Sequence, residues 1–252
     1  MIGAIIQARV SSARLPGKVL FPLAGEPVLR HVVLRVKRAR TLDTVILATT
    51  TEKEDDAIAT LCSQSGYACF RGSRDDVLSR YFETARQFKI DIIVRITCDN
   101  PFIDPHIIDE VVTAYHSARC DYVSNVLPGE RTFPRGLDCE VFSFDALQKA
   151  HAKAREAYER EHVTPYIHEN KTGEFRIGPM VKSRGIYARP HYRLALDYAE
   201  DYELISYLYD RFYTPGGVIS VTDVLAFLDE HPDIAAQNAM REKEYPRHGI
   251  RK

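Results

Sequence analysis

The run AIIQARVSSARLPGKVL, Ala4 to Leu20, passes directly from an apolar segment into a loop crowded with cations. Ile2 to Ile6 reads as a buried strand. Ala8, Arg9, Ser11, Ser12, Arg14, Gly17 and Lys18 follow at once. Three positive side chains and two hydroxyls therefore converge just past a strand end. Guanidinium forks take phosphate oxygens in pairs, an ammonium adds a compact charge, and glycine lets a backbone approach an anion. The combination suits a polyphosphate. A surface turn with solvated cations has the same composition, so the position after a buried strand carries the reading. The run is neither a P-loop, which needs GxxxxGK followed by Ser or Thr, nor a GxGxxG dinucleotide turn.

Outward from this loop, strand-like and helix-like segments alternate. Pro27 to Arg38 puts Leu29, Val32, Val33 and Val36 at helical spacing, Thr44 to Thr50 is a β-branched strand, and Glu54 to Gln64 reads as a helix. Tyr67 to Phe70 is a short strand. Asp75 and Asp76 precede a helix with Val77, Leu78, Tyr81, Phe82 and Ala85 on one face. Asp91 to Thr97 is the clearest central strand, Asp104-Pro105 caps a further helix, and Asp121 to Val126 is another strand. Alternation of this kind implies right-handed crossovers and a mostly parallel sheet, with ligands beyond the carboxyl ends of the strands. From about Leu127 the pattern loosens. Leu127 to Asp138 is loop-like, Glu140 to Phe144 reads as a strand, and helices are expected from Asp145 to about Ala157 and from Glu161 to Glu169. Phe175 to Met180 and Arg193 to Asp197 read as strands. Helices follow over Tyr202 to Phe212 and Thr222 to Leu228, then a polar, loosely packed tail from His231 to Lys252.

The chain has 252 residues and a formal net charge of −1, so no global basic field draws it to nucleic acid or to an anionic membrane. Any anion site must be local. Five scattered cysteines without a CxxC pair argue against a disulfide framework or a thiolate zinc site. No apolar run is long enough to span a bilayer, and the first residues carry no signal-peptide pattern, so a cytoplasmic protein is expected.

Two acids stand at the ends of expected strands. Asp99 follows Asp91–Thr97 in RITCDNP, and Asp197 closes RLALD. Each has a plain structural alternative, a turn for Asp99 and a helix cap for Asp197. Together with a triphosphate-type loop they suit magnesium, which takes one or two carboxylates plus phosphate oxygens and water. Arg135, in the loop FPRGLD, could take a carboxylate or phosphate in its fork or simply pair with Asp138. Glu161 and His162 could contact a second substrate, or His162 could hold a structural hydrogen bond. His31, His106, His116 and His231 lack ligand spacing and read as surface or capping residues.

The opening run resembles the N-terminal signature of the sugar-acid cytidylyltransferases, the acylneuraminate and 3-deoxy-manno-octulosonate enzymes. It is most similar to their spore-coat polysaccharide branch, the SpsF-like proteins. The resemblance extends through RGSRDDVLSRY (Arg71–Tyr81), RITCDNPFIDP (Arg95–Pro105), FPRGLDCEVFS (Phe133–Ser143), EREHVTPYIHEN (Glu159–Asn170) and RLALDYAEDYELI (Arg193–Ile205). It implies a Rossmann-like, three-layer α/β nucleotidyltransferase fold of the GT-A type, built as one domain over 1–252. A small α+β lobe over 127–189 would form a homodimer interface. It also implies transfer of CMP from CTP to the anomeric hydroxyl of a sugar acid, with pyrophosphate released. Arg9, Ser12, Arg14 and Lys18 would hold the triphosphate, Asp99 and Asp197 would hold Mg²⁺, and Arg71, Ser73 and Asp76 lie where the family reads the base. The octulosonate enzymes have Gly-Asp-Glu-Pro where this chain has Cys98-Asp99-Asn100-Pro101, so one acid beside Asp99 is lost. Two other functions fit the same class of fold: a glycosyltransferase using a nucleotide-sugar, although no DxD triplet stands at a strand end here, and a nucleotide-binding protein without turnover.

Overall fold

Ala4, Ile5 and Ile6 are consecutive and apolar, and in a strand they point to alternate faces, so both faces must be covered. All three are fully buried. The computed structural model of the chain describes residues 1–244. Its strands are β1 (Ile2–Gln7), β2 (Pro22–Leu23), β3 (Glu26–Pro27), β4 (Thr44–Thr50), β5 (Ala68–Gly72), β6 (Ile92–Thr97), β7 (Tyr122–Ser124), β8 (Val126–Leu127), β9 (Glu130–Arg131) and β10 (Glu140–Ser143). Six of them form one sheet in the order β5-β4-β1-β6-β10-β7. β5, β4, β1 and β6 run parallel; β10 is antiparallel to both β6 and β7. The remaining four make two small ribbons, β2 with β3 and β8 with β9.

The helices α1 (Val28–Val36), α2 (Asp56–Ser65), α3 (Val77–Phe88), α4 (Pro105–Ala118), α5 (Phe144–Lys153), α6 (Ala157–His162), α7 (Pro165–His168), α8 (Ala199–Phe212) and α9 (Val221–Glu230) divide between the faces. Apolar residues of α1, α2, α4, α8 and α9 pack in one core, and those of α3, α5 and α7 in the other. This is the mostly parallel α/β sandwich expected from the alternation of segments. The Asp76 carboxylate accepts from Ser79 N at 2.9 Å to start α3, and Asp104 accepts from His106 N at 2.8 Å to start α4 behind Pro105. Residues 127–189 hold the end of β8, β9, β10 and α5 to α7, and β10 is a strand of the main sheet.

Four local expectations are corrected. Arg193 to Asp197 is extended but joins no ladder; it makes a single bridge with Arg135 and passes beside residue 99. Phe175 to Met180 likewise forms no ladder among the described residues; its pairing with the sheet is a single bridge of Ile177 with Tyr122. The tail is not loosely packed over 231–244. It forms α10 (Pro232–Ala235) and α11 (Met240–Glu244), and Asn238 between them is fully buried. Residues 245–252 of that tail lie outside the described residues. His31 is also buried, with Nε2 at 2.8 Å from the Leu23 carbonyl oxygen, because α1 turns it inward against Tyr209 and Tyr213. No described helix is long and apolar enough to cross a membrane.

Two buried contacts fix the loop that leaves β6. Arg35 donates to the carbonyl oxygens of Phe102, Ile103 and Ile219, and Tyr209 Oη donates to that of Pro101 at 2.6 Å. Gly136 fixes the extended run that ends at Asp197. Its φ is +101°, and a Cβ there would stand 2.5 Å from the Leu194 carbonyl carbon and 2.6 Å from its oxygen. Gly136→Ala should therefore destabilise the protein by about 1–3 kcal/mol. Urea unfolding would show this as a lower midpoint, and an unchanged midpoint would mean that the two runs are not held this closely.

Candidate active site

The parallel strands β1, β4, β5 and β6 end on one rim, and the site is built on the ends of β1 and β6. Beyond β1 the loop is held from below. Ala8 N donates to the Ala48 carbonyl oxygen at 3.1 Å, Val10 N to Asp55 Oδ1 at 2.6 Å, and Gly17 N to the Val10 carbonyl oxygen at 2.9 Å. Gly17 closes the loop at φ 78°, a conformation that favours glycine, and Lys18 begins a 3₁₀ turn that carries its side chain inward. Ser12 Oγ accepts from Leu15 N at 3.4 Å. Ser11 Oγ is buried without a hydrogen-bond partner, and Arg9 is half-buried with no hydrogen bond or ion pair among the described residues.

Lys18 is the centre of the site. Its Nζ lies 2.8 Å from Asp99 Oδ2 and 2.8 Å from Asp197 Oδ1. The two carboxylates, 98 positions apart in sequence, thus lie within twice one hydrogen-bond length of each other. A backbone bond from Leu196 N to the Asp99 carbonyl oxygen, 2.8 Å, brings the two chain segments together. Arg14 Nη2 also reaches Asp197 Oδ1 at 2.8 Å, with its guanidinium above the Tyr198 ring. Thr97 Oγ1 donates to Asp99 Oδ1 at 2.5 Å.

Behind Asp197 stands a fully buried support. Arg193 Nη2 donates to Asp197 Oδ2 at 3.1 Å, and Arg193 grips Asp201 through Nε and Nη2 at 2.8 and 2.9 Å. Asp201 Oδ2 also accepts from the backbone N–H of Asp197 and Tyr198, capping α8. Asn238 Nδ2 donates to Asp201 Oδ1 and to the Arg193 carbonyl oxygen. Burial alone would raise the Asp197 carboxyl, but Lys18 and Arg14 overcome it and hold it well below the usual carboxylate range. Burial lowers the Lys18 ammonium; Asp99 and Asp197 outweigh it and hold that group well above the ordinary lysine range.

The structure therefore brings together Arg14, Lys18, Asp99 and Asp197. The other candidates lie elsewhere on or near the rim. Arg71 ties the end of β5 to the segment that follows β4, donating to the carbonyl oxygens of Thr50 and Glu52 and pairing with Asp56. Ser73 Oγ accepts from Asp76 N at 3.1 Å, and Asp76 Oδ2 takes Nε and Nη2 of Arg160 at 2.9 and 2.5 Å. Arg135 does not pair with Asp138, whose partner is Arg131; it forks onto Glu242 at 2.7 and 2.6 Å. Glu161 is exposed on α6 and His162 half-buried at its end. Sequence reasoning missed Arg193, Asp201, Asn238 and Glu242. The spacing Arg193, Asp197, Asp201, each four apart, was a signal for the first two; no signal points to Asn238 or Glu242.

Asp99 and Asp197 supply hard oxygen ligands, and no group of three His, Cys, Asp or Glu able to hold a metal exists among the described residues. A metal here would complete its shell with phosphate oxygens and water, as magnesium does.

Residues 3–216 match the cytidylyltransferase family. The chain belongs to that family. It is 34% identical over 238 residues to the spore coat polysaccharide biosynthesis protein SpsF of Bacillus subtilis, covering 92% of this chain and 96% of that one. It is 40% identical over 113 residues to a 3-deoxy-manno-octulosonate cytidylyltransferase of Geobacter sulfurreducens, 44% of each chain. A cytidylyltransferase structure from Leptospira borgpetersenii superposes with a TM-score of 0.82 at 34% identity, covering 93% of this chain and 96% of that one. The cytidylyltransferase chain is thus a nucleotidyltransferase, and its sheet is the Rossmann-like sheet of that fold.

Two outcomes follow for this cytidylyltransferase. Asp201→Ala strips the main partner from Arg193, whose side chain has no exposed surface. Breaking a buried pair this way costs about 3–5 kcal/mol, which equilibrium unfolding in urea would register. The second concerns pH. The Asp197 value is depressed on folding, so its contribution is complete above the unfolded carboxylate range and is lost as pH falls toward the folded value. Lys18 is raised, so its contribution is complete below the ordinary lysine range and is lost only at more alkaline pH than that. The stability gap between wild type and Asp197→Asn should therefore shrink between roughly pH 5 and pH 2. A gap that stays constant there would show that Asp197 is not held as a paired carboxylate.

Proposed function

We propose that this chain is a magnesium-dependent cytidylyltransferase that transfers CMP from CTP to the anomeric hydroxyl of a sugar acid, for surface polysaccharide synthesis. The observation that carries the reading is the meeting of Asp99 and Asp197 on the Lys18 ammonium, with Arg14 of the same loop also on Asp197. In the reaction the hydroxyl attacks the α-phosphorus, the bond to the β-phosphate oxygen breaks, and CMP-sugar, pyrophosphate and a proton result. Magnesium, when bound, polarises the α-phosphate and favours ionisation of the attacking hydroxyl.

The residues fit that ion. Both acids offer hard oxygen ligands, and the ammonium of Lys18 at 2.8 Å from each marks a point where positive charge is already stabilised. Arg9, Ser11, Ser12 and the Lys18 and Arg14 cations bind the triphosphate and offset the charge that accumulates on the departing pyrophosphate. The backbone at Ala8 and Gly17 leaves the phosphates room to approach. Arg193 and Asp201 position Asp197, and Thr97 positions Asp99. Arg71, Ser73 and Asp76 support the segment beside the base, their side chains being engaged with the protein itself. Arg135, Glu161 and His162 remain the candidates for the sugar, with Arg135 reaching a carboxylate only after Glu242 gives way. The same reading makes the protein a cytoplasmic homodimer joined through the region 127–189. The sugar-acid class rests on the resemblance to the octulosonate enzyme.

The assay supplies each of the four nucleoside triphosphates with MgCl₂ and a panel of sugar acids, and measures pyrophosphate. Release should require CTP and one class of acceptor. Asp99→Asn should lower turnover by about 10²–10³-fold, the scale for loss of a group that stabilises transition-state charge, while the urea midpoint confirms folding. Full turnover in Asp99→Asn would overturn the metal assignment; release with another triphosphate alone would overturn the choice of base.

A further inference from the structure

Every carboxylate oxygen that the proposed ion would use is already taken. Asp99 Oδ2 and Asp197 Oδ1 share the Lys18 ammonium at 2.8 Å each, Asp197 Oδ1 also takes Arg14, Asp197 Oδ2 takes Arg193, and Asp99 Oδ1 takes Thr97. The Lys18 side chain is only 11% exposed, so this is a built contact and not a solvated surface pair. Mg–O bonds are about 2.1 Å. An ion between the same two oxygens would stand where the ammonium now stands, and like charges cannot share the place. The lysine is nevertheless able to leave. It follows Gly17, which closes the loop at φ 78°, and a flexible four-carbon stem lets the charge move while the backbone stays in place.

We propose that Lys18 is the resident cation of the metal seat and that the nucleotide, not the metal alone, releases it. This rests on the reading of Asp99 and Asp197 as the metal acids. A triphosphate offers Lys18 and Arg14 several anionic oxygens at once, so both cations can exchange carboxylate partners for phosphate partners without being left uncompensated. The carboxylates are then vacated at the moment the phosphates bring the ion's remaining ligands. Nucleotide and metal consequently bind with positive coupling, and the coupling is reciprocal, each raising the other's affinity by the same factor. Lys18 is a positioning residue in this step: it keeps two like charges together in the free protein and yields them only to the loaded substrate.

The test is Mn²⁺ binding to the full chain, followed by electron paramagnetic resonance and calorimetry, with and without a CTP analogue carrying a methylene bridge between the α- and β-phosphorus. Wild type alone should show no saturable Mn²⁺ site in the micromolar range, and the analogue should create one at least ~10-fold tighter than either Mn²⁺–protein or Mn²⁺–analogue binding. Lys18→Met should bind Mn²⁺ without nucleotide at least ~10-fold more tightly than wild type, and adding Asp99→Asn to it should remove that site. A lysine with a merely structural role would not make metal binding stronger when removed. If Lys18→Met does not fold, the wild-type comparison decides by itself. Tight Mn²⁺ binding to nucleotide-free wild type overturns this proposal and leaves the metal reading intact. Absence of a protein-held Mn²⁺ site even with the analogue overturns both.

Discussion

Two carboxylates brought within two hydrogen-bond lengths of each other repel, and a protein can keep both ionised only by placing positive charge between them. Lys18 places that charge between Asp99 and Asp197, with Arg14 and Arg193 on the remaining edges of Asp197. The direction of the Asp197 shift shows which effect prevails. Burial, and any repulsion from Asp99, push the carboxyl up, yet it is held down, so the cations win. The fold must therefore deliver three separate chain segments to one point with the right signs of charge. Much of its architecture serves that delivery.

β1 and β6 are neighbours in the sheet, so the cationic loop and Asp99 begin side by side. Asp197 comes from an extended run outside the sheet. Its position depends on backbone bonds from Leu196 N to the residue 99 carbonyl and from Leu194 N to that of Arg135, and on the absence of a side chain at Gly136. The loop after β6 is itself fixed from behind by Arg35 and Tyr209, which satisfy carbonyl groups that would otherwise be buried without partners. Chemistry at the rim and packing beneath it are the same set of contacts seen from two sides.

What could be read from the sequence and what could not divides along the range of the interactions. β1 and β6 are legible because Ile2–Ile6 and Ile92–Ile96 are short apolar runs next to polar turns, and the capping by Asp76 and Asp104 is local. The pairing of Asp99 with Asp197 was suggested only by two acids sharing a position at strand ends, and the family resemblance added the rest. Arg193 to Asp197 looks like a strand because Leu194, Ala195 and Leu196 form a short apolar run between charged residues. It is extended for a different reason: its hydrogen bonds go to loop backbone on both sides, which no periodicity reveals. Asn238 and Glu242 were illegible because their roles are defined by partners about forty to more than a hundred positions away, and a polar tail gives no pattern by which to find them.

The charges form one alternating chain, from Asp99 through Lys18, Asp197, Arg193 and Glu242 to Arg135. Burying charge is costly, and apolar substitutes for a buried pair are often as stable or more so. Stability alone is therefore a weak reason for this chain. Its arrangement makes better sense as a means of holding acids ionised in a site where a polyphosphate and its counter-ion must exchange places with resident cations. An apolar core could support the loop but could not lend it a cation. The carbonyl-bound Arg35, by contrast, is buried with no such exchange available to it, and it serves packing alone. The distinction between Lys18 and Arg14, which face acids and can pass to phosphate oxygens, and Arg35, which faces neutral carbonyls, separates the working part of the site from its frame.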